Sequence, residues 1–390
     1  MKYTLLLLAA LTLNGLRGQN TEVHLFNITN TNGELDLINT KKIKQNPGYN
    51  NQPSFYNDNL ILFASTRNDQ TDIAKYNIRN AEVAFINETP NGGEYSAQKI
   101  PNSKDISAVR LDNDGKQRLY KYNFNTGTST VLIKDLVVAY YTWYNDHIIV
   151  SSVIEANTLN LYVSNLKTGK NTKYASNVGR AFQKIPNTNL VSFISKENEK
   201  FIIKSLDPIT GAIELITETI GEDICWLING NILIPSKQTI YKFNPKTDKS
   251  FSVLKTFSAD HLQNITRITT NAIGTMLALV SEVSPEYIVQ KQLDAYNARD
   301  IDAFMATYTA DIELYNFPET LRSKGQEPMR KSYMEFFKNT PNLNCQILKR
   351  IVIGNKVIDH ELVTANGNTF KAVAVYEVEN GLIRKVTFIR

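Results

Sequence analysis

The sequence predicts a multidomain protein: an all-β six-bladed propeller whose N-terminal strands close the last blade, followed by a smaller α+β domain. Three observations carry this. A strand-turn-strand unit recurs about every 42 residues, short apolar runs alternate with it, and the hydrophobic period changes from 2 to 3.6 after Ser284.

The recurring unit is clearest from Leu119 to Leu132 and returns at Leu161, Ile203 and Ile240. Its turn residues Thr126, Thr168, Thr210 and Thr247 stand 42, 42 and 37 residues apart. Weaker copies open at Ile73, with Asn80 at the turn, and at Leu25, with Asn32 there, so the count is six. Gly127, Gly169 and Gly211 follow three of these threonines, because a tight hairpin needs a residue that accepts positive φ. The turns are therefore expected to be scaffold.

Between the copies lie further apolar runs: Leu60 to Ser65, Tyr140 to Ser151, Leu190 to Ile194, Ile232 to Ile234 and Met276 to Val280. Short strands, regular turn signals and no amphipathic helix fit four-stranded blades around an axis. The last inner strands, around Ile265 to Val280, have no outer strands after them, and Leu25 to Ile38 has no inner strands before it. Pairing these ends completes a sixth blade and removes an exposed sheet edge.

The start of the chain reads as a secretory signal over 1–18. Lys2 supplies the positive charge, Thr4 to Leu13 the apolar run, and Gly18 a small residue ahead of Gln19. The expectation is an exported protein, periplasmic or extracellular, with no transmembrane segment. A net charge of +5 without any Lys/Arg block argues against nucleic acid as the partner. Cys225 and Cys345 fall in different predicted domains, so a disulfide is not expected, and His24, His147, His261 and His360 lack metal-ligand spacing. No metal or cofactor is expected.

The clusters Tyr140-Tyr141-Trp143-Tyr144 and Cys225-Trp226 read as packing, with a binding face as the alternative. Asn50 and Asn51, ahead of an inner strand, stand in a similar place. The stretch from Gln52 to Arg67, followed by Asp72-Ile73, resembles the repeat of TolB-like six-bladed propellers. That resemblance implies a protein-binding platform for an envelope or secreted protein. The G-x-S-x-G elbow of peptidases that follow related propellers is absent, and Ser164 to Lys167 matches S-x-x-K only inside a repeat unit. Nor do the mostly apolar inner strands show the Asp, Glu and Asn set with which propeller lactonases hold calcium.

Past the repeats, Ser284-Pro285-Glu286 is a helix start, with Ser as N-cap and Pro at the first helical position. Val289, Leu293 and Tyr296 mark one helix face, and Ile301, Phe304, Met305 and Tyr308 a second helix after Asp300. Met329, Tyr333, Phe336 and Phe337 mark a third before Pro341. Strands are predicted at Asp311 to Phe317, Asn344 to Ile353, Lys356 to Thr364, Thr369 to Val378 and Leu382 to Ile389, in the order α-α-β-α-β-β-β-β. Domains are thus expected at 19–282 and 284–390.

That order, with Tyr296 to Asp302, Val357 to Glu361 and Tyr376 to Ile383, resembles the SnoaL-like branch of the nuclear transport factor 2-like superfamily over about 107 residues. The resemblance implies a cone-shaped domain, helices on a curved antiparallel sheet around a mostly apolar pocket. Carried over residue by residue, the ketosteroid isomerase Tyr falls at Gln292, its Asp base at Asn316 and its second Asp near Ala372, so that catalytic set is missing.

Two-residue alternation places Ile312, Leu314 and Asn316 on one strand face and Ile358, His360 and Leu362 on another. With both faces inward, Tyr296, Asn316, Tyr333 and His360 are the candidate ligand-binding residues, and His360 is a candidate acid or base. Asp359 and Glu361 would face the other way, onto the face that the resemblance implies is buried against a second subunit of a homodimer. The functional expectation is an exported binding or scaffold protein, its C-terminal domain holding a small apolar ligand or dimerising. The alternative is an isomerase-, cyclase- or hydratase-like enzyme acting in that pocket.

Overall fold

The computed structural model describes residues 20–43, 48–68, 70–90, 92–258 and 262–389. Residues 1–18, the expected secretory signal, and His261 lie outside them. The chain divides into two compact units, one holding Asn50–Glu282 with the N-terminal strands, the other Val283–Arg390. Among the described residues no helix is long and apolar enough to cross a membrane.

The first unit is a propeller of six four-stranded blades. Blades 1 and 2 span 50–85 and 93–133 and touch through one parallel pair, Thr71 with Gly93. Blades 3, 4 and 5 span 138–175, 178–219 and 225–256. Blade 6 takes its inner strands from Ile265–Thr270 and Met276–Glu282 and its outer strands from Thr21–Thr31 and Glu34–Lys42. Thr21 pairs with Glu282 and Asn27 with Met276, so the N-terminal strand closes the ring.

Closure is also visible in the packing. Separate apolar cores lie between blades 1 and 2, 2 and 3, 3 and 4, 4 and 5, 5 and 6, and finally 6 and 1. The last, with Val23 and Leu25 against Ile61 and Phe63, exists because the N-terminal strand has joined the sixth blade. All six copies of the sequence repeat fall on the same hairpin, between the third and fourth strands of a blade. Asn123, Asn165 and Asp207 open three of these hairpins, and each side chain accepts two backbone N–H groups of its turn.

In the aromatic clusters Tyr141, Trp143, Cys225 and Trp226 are interior packing, and Tyr140 and Tyr144 are half-buried. Trp143 Nε1 donates to Ser107 Oγ of the preceding blade at 2.9 Å, and Trp226 Nε1 donates to Ser192 Oγ, also at 2.9 Å. Beside each Trp a glutamine bridges the same two blades: Gln98 donates to the carbonyl of Tyr141, and Gln183 accepts from the backbone N–H of Trp226. This Gln-Ser-Trp latch occurs at two blade junctions. Asn50 is buried between Thr21 and Ser65, its backbone and carboxamide both bonded.

The second unit starts with helix α1 (Pro285–Ala298), where the Ser284 side chain accepts from the Glu286 N–H. Helix α2 (Ile301–Met305) is capped by Asp300, and α3 (Gln326–Asn339) follows later. The sheet runs in the order Thr320–Lys324, Tyr308–Asn316, Leu382–Ile389, Asn368–Glu379, Lys356–Ala365, Asn344–Ile353. Neighbours are antiparallel except Tyr308–Asn316 with Leu382–Ile389, which run parallel. Strand Thr320–Lys324 was not expected. It is an exposed edge whose sequence has no apolar alternation to mark it.

Candidate functional site

One face of this sheet, together with α1 and α3, encloses a cavity of about 350 Å³. That volume suits a small organic molecule. Helix α1 presents Gln292, Leu293 and Tyr296, which its 3.6-residue turn brings to one side, and α3 presents Ser332, Tyr333 and Phe336 in the same way. From the sheet come Tyr308, Cys345, Glu361, Val363, Ala372 and Tyr376. Exposed Arg322, Ser332 and Phe370 mark the mouth; buried Gln292, Tyr308, Glu361 and Tyr376 mark the floor.

The helix side of the wall is aromatic. Fully buried Phe304 packs its ring 4.7 Å from Tyr333, 5.1 Å from Tyr308 and 5.4 Å from Phe337, centre to centre. Such tilted and edge-on pairs hold the rings in fixed orientations. The floor is polar. Tyr376 donates its phenolic proton to Glu361 Oε1 at 3.0 Å, both groups being buried. Burial first, and then the Glu361 charge, push the Tyr376 phenol well above its ordinary value. Burial likewise raises Tyr308, against the opposing hydrogen bond from Gln292. Both phenols are therefore neutral donors at physiological pH.

Cys345 is buried beside them, and burial pushes its thiol up to about 12, with Glu361 adding to the shift. A thiol held in that form is not a nucleophile. Neither cysteine is in a disulfide. Gln292 supplies the least satisfied group of the floor. Its side chain is 5% exposed and its Oε1 has no hydrogen-bond partner.

Of the four residues singled out from sequence, Tyr296 and Tyr333 line the cavity, whereas Asn316 and His360 do not. Asn316 is exposed at the end of its strand, beyond a register break between Leu314 and Tyr315. For His360 the assigned face was inverted. Val357, Asp359, Glu361 and Val363 form the buried row, and Ile358, His360 and Leu362 alternate with them on the other face. A strand with two carboxylates inward is stable here because each has a partner. Arg350 grips Asp359 with two bonds of 2.6 and 2.7 Å, and Tyr376 binds Glu361.

The residues missed were therefore Glu361, Tyr376, Tyr308 and the cavity role of Gln292. Val357 and Val363, at even spacing on either side of the two acids, were the available signal. Gln292 and Ala372, at or near which the sequence resemblance placed isomerase residues, do line the cavity, and neither side chain can ionise to serve as acid or base.

A family model described as SnoaL-like domain matches residues 289–386. Among solved structures, a protein named as TolB from Agrobacterium tumefaciens is 13% identical. It covers 68% of this chain and 99% of its own, with a TM-score of 0.52. An uncharacterised cystatin-fold protein from Novosphingobium aromaticivorans is 27% identical over 28% of this chain and 99% of its own, at a TM-score of 0.27. An NTF2-like protein of unknown function from Cytophaga hutchinsonii is 18% identical over 28% of this chain and 90% of its own, at 0.25. No curated protein matches the chain by sequence. The first unit thus shares the fold of the TolB structure, and residues 289–386 of the second match the SnoaL-like model.

Proposed function

We propose that this is an exported binding protein whose C-terminal domain holds a small, largely apolar molecule bearing a hydrogen-bond donor, while the propeller serves as a platform for a protein partner. The observation that carries the ligand reading is the enclosed cavity with Gln292 Oε1 buried and unpartnered at its floor. An unpaired buried acceptor costs about 1–3 kcal/mol, which a donor on a bound molecule would recover. The aromatic wall suits a flat or ring-shaped body, and the neutral phenol of Tyr308 adds a donor for an oxygen on it. Lys2, the apolar run after it and Gly18 support export. Exposed Ile351, Val352 and Ile353 on an edge strand support dimerisation through this domain.

A thermal-shift screen of the full chain with small aromatic and alicyclic alcohols tests the ligand reading. Stabilisation is expected for the wild type and not for Ala372→Phe, which fills the cavity from its floor. Absence of stabilisation by any such compound would count against it.

Glu361 favours a second reading, in which the bound molecule is also transformed. A buried carboxyl bonded to a neutral phenol can exchange a proton with a ligand atom placed above it. Glu361→Gln keeps the shape and removes the exchangeable carboxyl. Under the binding reading it leaves the ligand chemically unchanged in both proteins; under the enzyme reading wild type converts it and the variant does not.

A further inference from the structure

The cavity of the second unit carries charge at both of its ends. Among the described residues that line it, Arg322 and Glu361 alone bear a formal charge. Glu361 is buried at the floor and bonded to Tyr376, whereas Arg322 stands exposed at the mouth. Elsewhere in this unit Arg330, Arg350 and Arg384 each reach a carboxylate. The Arg322 guanidinium makes no ion pair and no hydrogen bond among the described residues. Its contact is with a ring of the cavity wall, Cζ lying 5.5 Å from the centre of Phe388.

The backbone accounts for this placement. Leu321 pairs with Tyr315 and Ser323 with Leu314, so Arg322 is the extra residue of a bulge in the hairpin of Tyr308–Asn316 and Thr320–Lys324. An inserted residue is unpaired in the ladder, and a bulge re-aims its side chain. Here the bulge sets a cation on the lip of an aromatic-walled cavity of about 350 Å³, over the Phe388 ring, with the guanidinium donors unspent. At the other end the Gln292 Oε1 acceptor is buried without a partner. A cation at the mouth and an unsatisfied acceptor at the floor, separated by aromatic rings, describe the two ends of one molecule.

Building on the ligand reading of this cavity, on which it rests, we propose that the molecule held there is an amphipathic carboxylic acid. Its carboxylate lies at the mouth on Arg322, its apolar body against the aromatic wall, and its hydrogen-bond donor at the floor on Gln292 Oε1. A guanidinium fork matches the two oxygens of one carboxylate. A phosphate monoester would bring a second negative charge that no lining residue at the mouth balances. The reverse orientation would bury the carboxylate beside Glu361, where desolvation and a second carboxyl both oppose it.

Calorimetric titration of the full chain at neutral pH and fixed ionic strength tests it, with para-hydroxycinnamate, its neutral carboxamide, and cinnamate, which lacks the hydroxyl. In wild type the hydroxy acid is expected to bind about fivefold tighter than the carboxamide, the upper range for a solvent-exposed ion pair, and about tenfold tighter than cinnamate. Arg322→Gln should erase the preference for acid over carboxamide, and Arg322→Lys should retain part of it. Gln292→Leu should erase the preference for the hydroxyl and keep that for the acid. Should Arg322→Gln fail to fold, the wild-type preference for the acid and its decline on adding sodium chloride decide the matter. Equal binding of acid and carboxamide in wild type, or a preference that survives Arg322→Gln, overturns the carboxylate assignment while bound carboxamide leaves the ligand reading standing. No binding of any of the three overturns both.

Discussion

Buried polar groups at two blade junctions and on the cavity floor are used in opposite ways. In the propeller, Ser107 and Ser192 each receive a Trp Nε1–H from the next blade, and Gln98 and Gln183 bridge the same junctions. Those groups are consumed in holding blade to blade. On the floor of the C-terminal cavity, Gln292 Oε1 has no hydrogen-bond partner and Tyr308 lines the open volume beside it. The repeated contact serves assembly, whereas Gln292 Oε1 is the group that the proposed ligand would satisfy.

The sharpest way to break this distinction is to remove a latch. Trp226→Ala should cost roughly 3–5 kcal/mol in urea unfolding, since it empties a core between blades 4 and 5 and frees Ser192. Ser192→Ala leaves the Trp226 N–H buried without its acceptor and should cost about 1–3 kcal/mol. Gln292→Leu, in contrast, should leave stability unchanged or raise it by about 1 kcal/mol while weakening any cavity ligand, because it deletes a buried acceptor that nothing satisfies. Equal losses for Ser192→Ala and Gln292→Leu would erase the difference drawn between the blade junctions and the cavity floor.

A smaller effect comes with pH, and burial raises Tyr122, Tyr141 and Cys225 of the propeller in the same sense. Tyr308 and Tyr376 have phenols raised by burial, and Cys345 a thiol raised to about 12. In the unfolded chain these groups ionise near their ordinary values, so above about pH 9–10 the unfolded state binds fewer protons than the folded one. Stability of the C-terminal domain should therefore be level below pH 8 and fall as pH rises past that point. Absorbance at 295 nm should show these two tyrosines titrating only together with unfolding, and Cys345 should resist thiol reagents at pH 8 until then. Ordinary titration in the folded state would contradict their burial.

Much of the fold was legible because its determinants are local and repeated. Asn123 or Asp207 opening a hairpin and Gly closing it act within six residues, so the unit can be counted along the chain, even in the weak copies at Leu25 and Ile73. Ring closure followed from that count. The cavity was less legible, because its floor is set by which way one strand faces. Ile358 and Leu362 around His360 looked like the buried row, yet Val357 and Val363 bury with Asp359 and Glu361 between them. What compensates those acids is distant in sequence: Arg350 on one neighbouring strand and Tyr376 on the other. Thr320–Lys324 was hidden for a related reason, since an exposed edge has no apolar side to betray it.

Native mass spectrometry of the full chain purified from its own host tests the central claim most directly. The account predicts a single small molecule retained by the wild-type protein, released on denaturation and absent from Ala372→Phe. A wild-type protein of bare polypeptide mass that also takes up none of the screened alcohols, or a retained molecule equally present in Ala372→Phe, would contradict a ligand held in the cavity above Gln292.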